Sequence, residues 1–152
     1  ILPDDCSVQY ALVDDAIELV QSAGKGVEMA KADIESAFRL LPVHLDSFHL
    51  LGFQLDRQFY YDKCLPMGCS ISCAYFEAFG TFLEWVVCTQ HPDGDRLHYL
   101  DDFQFVGAPG LDQCWDLLET FTRMASWLGV PLAPEKTEGP ATRIPFLGIE
   151  LD

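Results

Sequence analysis

Two adjacent aspartates, Asp101 and Asp102, interrupt the stretch HYLDDFQFVG, residues 98–107, between two apolar, aromatic-rich runs that read as strands. Hairpin turns usually fall on Gly or Asn, which tolerate positive φ; here like charges occupy the turn. At ~4 Å and an effective dielectric of ~20, such a pair repels by about 4 kcal/mol. A third carboxylate, Asp33, closes the run VEMAKADI. If the strand ending at Asp33 pairs with the HYLDD strand, three hard oxygen donors meet at one sheet edge. That donor set suits Mg²⁺ or Mn²⁺, which take a few carboxylates and leave positions for substrate phosphates. Two such ions hold the attacking and leaving oxygens of a phosphoryl transfer, and their charge offsets the repulsion. Adjacent acids in a hairpin are more often a solvated turn, and an Asp at a strand end is ordinary. Spacing alone therefore leaves the metal site the minority reading.

The elements that must position these acids follow from periodicity. Val8, Leu12, Val13, Ala16, Ile17, Leu19 and Val20 share a helical face, with Ser7 as N-cap and Gly24 as C-terminal stop. A strand then runs to Asp33. HLLGFQL and QFYYDKCL are two short strands about a tight connection at Asp56-Arg57. SISCAYFEAFGTFLEWVVCTQ is a long apolar helix stopped by Pro92, and the DD hairpin follows. The next helix has Leu111, Cys114, Trp115, Leu118, Phe121, Met124, Ala125 and Leu128 on its apolar face. GVPLAPEKTEGP is a turn-rich connection and IPFLGIEL a final strand. This mixture predicts an α+β domain whose mostly antiparallel sheet is covered on one side by helices.

Composition sets bounds. The chain has 152 residues, 49% of them hydrophobic, enough for one core. No run of eighteen apolar residues exists, so no membrane partner is expected. The start, ILPDDCSVQY, has no basic or signal-like segment and no initiator Met, which predicts a piece of a longer chain. Six cysteines (Cys6, Cys64, Cys69, Cys73, Cys88, Cys114) sit mostly in apolar or helical surroundings and read as reduced core residues of an intracellular protein, cytoplasmic or nuclear. Cys69-x-x-x-Cys73 has no companion pair at zinc spacing. With 24 acids against 9 bases the net charge is −15, which repels nucleic acid on average. A nucleic-acid role therefore requires metal ions or basic partners from elsewhere.

Five blocks change the weighting. YLDD, Tyr99 to Asp102, resembles the Y-x-D-D signature of reverse transcriptases; Asp33 followed five residues later by Phe38 resembles that family's first catalytic block. CLPMGCSISCAYFEAF resembles its L-P-x-G block and long palm helix, GVPLAPEKTEG its lysine-bearing loop, and FLGIEL the strand before the thumb. They occur in family order over residues 30 to 151, and the ordered set is far more specific than YxDD alone. The wording DIESAFRLLPVH…HLLGF looks most like that of tyrosine-recombinase (DIRS-like) retrotransposons.

The resemblance implies a palm-type antiparallel sheet with a partial fingers hairpin at about residues 45–65, one unit over residues 1–152, with thumb and RNase H portions absent. It implies an RNA-directed DNA polymerase core from a retroelement polyprotein, transferring deoxynucleotides to a primer 3′-OH with two Mg²⁺ or Mn²⁺ ions. Its partners would be an RNA or DNA template–primer, a deoxynucleoside triphosphate and the remaining fingers and thumb. Asp33 and Asp101 would be direct metal ligands, and Asp102 would shape the field or bind less directly. Lys136 would give a proton to the leaving pyrophosphate or neutralise its charge. Ile34 would offer backbone to the triphosphate, Phe38 would exclude a 2′-hydroxyl, and Met67 and Gly68 would lie against the nucleotide. Tyr99, Leu100, Phe146, Leu147 and Gly148 would meet the primer. Phe38, Phe146, Leu147 and Gly148 are equally readable as core or strand residues, and Lys136 as a solvated loop lysine.

Two departures stand out. Met67 fills a place where many members have Gln or Phe, and it cannot donate the hydrogen bonds Gln would. Cys73 stands where Pro is common, altering only the start of the helix. A repurposed palm acting as a protein-interaction module is the alternative, although all three acids are intact. An unrelated acidic domain or a nucleotide-cyclase-like palm is disfavoured by the LPMG and FLGIEL blocks.

Overall fold

The computed structural model describes residues 6–152, so the first half of the ILPDDCSVQY stretch lies outside it. In chain order the elements are α1 (Val13–Ala23), β1 (Glu28–Asp33), β2 (Gly52–Leu55), β3 (Gln58–Tyr61), α2 (Ser70–Gln90), β4 (Asp95–Tyr99), β5 (Asp102–Gly107), α3 (Gln113–Leu128), β6 (Glu138–Ala141), β7 (Ile144–Phe146) and β8 (Ile149–Leu151). Four strands form one sheet in the order β4-β5-β1-β6, each pair antiparallel. β2–β3 and β7–β8 are separate hairpins.

Alternation along β1 and β5 gives the sheet two different faces. Ala30, Ala32, Phe103 and Phe105 pack with Phe76, Leu83 and Val87 of α2 and Leu117, Phe121 and Met124 of α3. The rings of Phe103 and Phe121 lie 4.4 Å apart and those of Phe105 and Phe121 5.3 Å apart. Each such buried Phe contributes roughly 1.5–3 kcal/mol by leaving water. Met29 and Val106 face the other way and pack with Ala16 and Val20 of α1 and with Ile144, Phe146 and Leu151. Thus α2 and α3 roof one face, as expected. α1 and the β7–β8 hairpin cover the far part of the other, and its Asp33 end stays clear of that cluster.

Several boundaries differ from the sequence reading. α1 starts at Val13, not after Ser7: the Leu12 amide donates to Asp15 Oδ2, three positions on, at 2.5 Å. Ser7 has Tyr10 in that place, and the Tyr10 ring packs at a tilt against Tyr99 instead. The buried stripe of α3 holds Leu117, while Leu111, Trp115 and Leu128 are exposed. Leu45–Leu51 form 3₁₀ turns, so the strand read from His49 begins only at Gly52. IPFLGIEL is a hairpin, because Leu147 (φ 47°) and Gly148 (φ 81°) turn the chain between β7 and β8.

α2 has the length and apolar composition of a membrane-spanning helix. One stripe of it (Ser72, Phe76, Gly80, Leu83, Val87) is buried against the sheet. Its outer side leaves Tyr75, Phe82 and Trp85 exposed. All six cysteines are free thiols.

Candidate active site

The central strand pair brings the acids together. β1 and β5 run antiparallel with Asp33 directly opposite Asp102, the last residue of one strand facing the first of the other. Asp102 also pairs with Tyr99, so the turn of the β4–β5 hairpin holds Leu100 and Asp101 rather than both aspartates. Leu100 takes φ 53°, a region non-glycine residues seldom occupy. The Ile34 amide donates to the Asp101 carbonyl at 3.0 Å and ties this turn to the end of β1.

A second segment closes over Asp33 from outside the sheet. Residues 131–133 run alongside 33–35: the Glu35 amide donates to the Pro131 carbonyl and the Ala133 amide to the Asp33 carbonyl, both at 2.9 Å. The 3₁₀ turn Pro134–Lys136 then carries the Lys136 ammonium to 2.8 Å from Asp33 Oδ2. Asp33 is buried, at 6% exposure, so this ion pair is its principal compensation.

The electrostatics are those of a site short of positive charge. Burial, then the charges of Asp101 and Asp33 and a hydrogen bond to Asp33, push the Asp102 carboxyl up to about 6. Burial also raises Asp101, with Asp33 adding to the effect and Lys136 opposing it. The hydrogen bond and charge of Asp33 raise Lys136 in turn. Among the described residues, no three Asp, Glu, His or Cys side chains are drawn together tightly enough to hold a metal ion as they stand. The Lys136 ammonium at Asp33 supplies the neutralisation the chain itself offers. Hard carboxylate oxygens penalised for being ionised together are nevertheless the donor chemistry that Mg²⁺ or Mn²⁺ relieves, and in that respect the residues fit the ion.

A cleft of about 310 Å³ opens beside these groups, lined by Asp33, Ile34, Phe38, Met67, Asp101 and Lys136 among others. Phe38 is half-buried, its ring edge-on to Phe76 at 5.2 Å. Met67 is 80% exposed at the rim, and Gly68 (φ 82°) follows it before α2 begins. Ile34 is buried and its amide is taken by Asp101. The structure does not bring Phe146, Leu147 or Gly148 to this cleft. They belong to the β7–β8 hairpin, on the same sheet face as Asp33 and Asp102, with Phe146 inside the core.

Sequence reading missed other residues here. Glu35, Ser36, Arg39 and Glu135 also line the cleft, and Arg39 pairs with Asp62 at the foot of the β2–β3 hairpin. Arg39 lies one position beyond Phe38, the only signal that could have marked it. Tyr10 reaches Tyr99 from a segment expected to be helical, with ring centroids 5.2 Å apart.

An antiparallel sheet with acids at one end of its central strands, roofed on the opposite face by two helices, defines a polymerase-palm class of domain. Residues 3–151 match the family described as Reverse transcriptase (RNA-dependent DNA polymerase), and the chain belongs to that family. No curated protein matches it. Similar solved structures include a foamy viral protease–reverse transcriptase in complex with dsDNA, with TM-score 0.73 and 18% identity over 95% of this chain and 29% of that one. The same foamy viral enzyme in complex with an RNA/DNA hybrid gives TM-score 0.70 and 21% identity over 81% and 16%. The native prototype foamy virus protein gives 0.71 and 20% over 95% and 18%. The chain thus spans less than a third of the structures it resembles.

Proposed function

We propose that this chain is the palm, with part of the fingers, of an RNA-directed DNA polymerase that adds deoxynucleotides to a primer 3′-OH. The observation that carries this is the convergence of Asp33, Asp101 and Asp102 at one end of the sheet, beside a cleft containing Phe38 and Lys136, in a member of the reverse transcriptase family. Asp33 and Asp101 would hold two Mg²⁺ or Mn²⁺ ions, with Asp102 contributing charge. When bound, such ions polarise phosphoryl oxygens and neutralise charge developing during transfer.

The chain's own groups supply the rest. Lys136, released from Asp33, faces the triphosphate and stands ready to donate a proton to the departing pyrophosphate. Since the amides of Ile34 and Glu35 are committed internally, the triphosphate would meet backbone further along, at Ser36 and Ala37. Phe38 forms the floor against which a sugar 2′-hydroxyl would collide. Met67 and Gly68 flank the base, and Tyr99 and Leu100 the primer end. Of the β7–β8 hairpin, Leu147 and Gly148 at its turn are better placed for a primer than buried Phe146. The β2–β3 hairpin is the fingers element.

With net charge −15, template–primer is proposed to be held by further polypeptide, as the small share of the matched chains suggests. In the solved relatives the partners are dsDNA and an RNA/DNA hybrid; a template–primer of either kind is proposed here. Free cysteines support an intracellular setting. The test is Mg²⁺-dependent primer extension, with a Mn²⁺ control, by a longer chain carrying the flanking regions. Activity that vanishes in Asp101→Asn supports the reading. No extension by the longer wild-type chain would favour an interaction module.

A further inference from the structure

We infer that His98 is a positioning residue: clamped by Glu77 and Glu84 across Gly80 of α2, it holds the Leu100–Asp101 turn and so sets where the Asp101 carboxylate lies. The inference rests on the proposed cation site and concerns what keeps its hairpin in place.

Glu77, Gly80 and Glu84 stand at i, i+3 and i+7, one stripe of a helix that is otherwise apolar. That stripe faces β4, where His98 is 7% exposed and stacked on Phe103 at 5.2 Å. His98 Nδ1 lies 2.5 Å from Glu84 Oε2. Nε2 lies 3.3 Å from Glu77 Oε1, close enough for attraction but without the alignment of a hydrogen bond. Two carboxylates are thus drawn onto one buried ring, a polar cluster inside the protein. Such clusters cost more than apolar packing of the same volume. Its retention under a catalytic hairpin calls for a use beyond filling space.

The use is visible in what else touches the stripe. A Cβ on Gly80 would come 2.8 Å from His98 Cδ2 and 3.3 Å from the Leu100 carbonyl oxygen. Mid-helix glycine lowers helix stability; here its missing side chain lets both the ring and the turn backbone close onto α2. Burial pushes the Glu77 carboxyl up, and His98 and the Leu100 backbone oppose it; the contact that places the turn on α2 is the close approach of the Leu100 carbonyl to Gly80. The one hairpin residue with positive φ, Leu100, is therefore held by the helix that grips His98. Asp101 follows it, with its carbonyl tied to β1 by the Ile34 amide.

The experiment compares the wild-type chain with His98→Phe, His98→Gln, Gly80→Ala and Ile144→Val. His98→Phe keeps a ring on Phe103 but offers no donor. Gly80→Ala improves helix propensity while pressing on the ring and turn, and it decides the matter if His98→Phe fails to fold. Ile144→Val loosens the other core cluster as a matched control. Two readouts are followed: Mn²⁺ affinity by electron paramagnetic resonance, and hydrogen exchange of the Ile34 amide that bonds Asp101. The expected result is Mn²⁺ binding weakened roughly tenfold in His98→Phe and Gly80→Ala, with faster Ile34 exchange. His98→Gln should recover most of the loss, and Ile144→Val should lower the melting temperature without moving either readout. Unchanged Mn²⁺ affinity and unchanged Ile34 exchange in both His98→Phe and Gly80→Ala would overturn the inference. If the wild type binds no Mn²⁺, the cation-site reading fails on its own. Ile34 exchange then still decides for or against the clamp.

Discussion

The β4–β5 and β2–β3 hairpins have nearly the same local build and opposite surroundings. Both turn in two residues, and both place non-glycine residues at positive φ: Leu100 in one, Asp56 (49°) and Arg57 (64°) in the other. Every residue of β2 and β3 is exposed, whereas β5 is buried from Phe103 to Gly107. The outer hairpin leans on its own aromatic ladder, with Phe53 on Tyr60 and Phe48 on Tyr61 at 5.7 and 5.1 Å. The inner one is fixed between β1, α2 and α3. A two-residue turn thus gives a rigid carrier of charge where the core encloses it, and a surface arm where nothing does.

The sharpest way to break that contrast is to truncate one aromatic in each hairpin. Phe103→Ala should cost about 3–5 kcal/mol, since it removes a fully buried ring from the main cluster. Phe59→Ala, at 84% exposure, should stay within about 0.5 kcal/mol. Urea unfolding of both variants measures the difference, and equal losses would mean that β3 is covered in solution.

A smaller effect separates the hairpins by pH. The folded Asp102 carboxyl titrates at about 6, against about 4 in an unfolded chain. Below about pH 4 it is protonated in both states and neutral for stability. Between the two values the unfolded chain releases its proton while the folded one keeps it. Stability therefore falls as pH rises, and the full penalty is present above about pH 6. Asp102→Asn should remove that slope and gain about 1 kcal/mol at pH 8 after discounting for solvent screening. Melting curves from pH 4 to 8 check it.

Smallest is the turn itself. Arg57→Gly relieves a left-handed arginine and should stabilise the β2–β3 hairpin by about 0.5–1 kcal/mol. It should appear as slower amide exchange confined to residues 52–61, with the global melt nearly unchanged.

What could be seen in the sequence divides along similar lines. The meeting of Asp33 with Asp101 and Asp102 was legible because each acid ends or begins an apolar run, and strand ends are where a register places residues side by side. The Leu100–Asp101 turn, shifted by one from the expected Asp-Asp pair, was not, because Leu gives no turn signal. Gly148 did give one, and IPFLGIEL could have been read as a hairpin from it. The start of α1 was misplaced because Ser7 outweighed Asp15, although the acid three residues after Leu12 was the better cap signal. The apolar stripe of α3 was right at Cys114, Leu118, Phe121, Met124 and Ala125 but drawn too wide, through Trp115 and Leu128, and without Leu117, since hydrophobicity cannot tell a buried face from an exposed apolar rim. The contacts of His98 with Glu77 and Glu84 could not be read at all. They depend on which face of α2 meets β4, a tertiary fact.

Melting temperature against Mg²⁺ and Mn²⁺, for the wild type and Asp101→Asn, tests the central claim most directly: clustered carboxylates at this sheet end await a cation. The wild type should rise with metal concentration by mass action. Asp101→Asn should melt higher than the wild type without metal, because one source of repulsion is gone, and should no longer respond to the ion. A metal-induced rise of equal size in Asp101→Asn would place the cation elsewhere on this acidic surface and contradict the account.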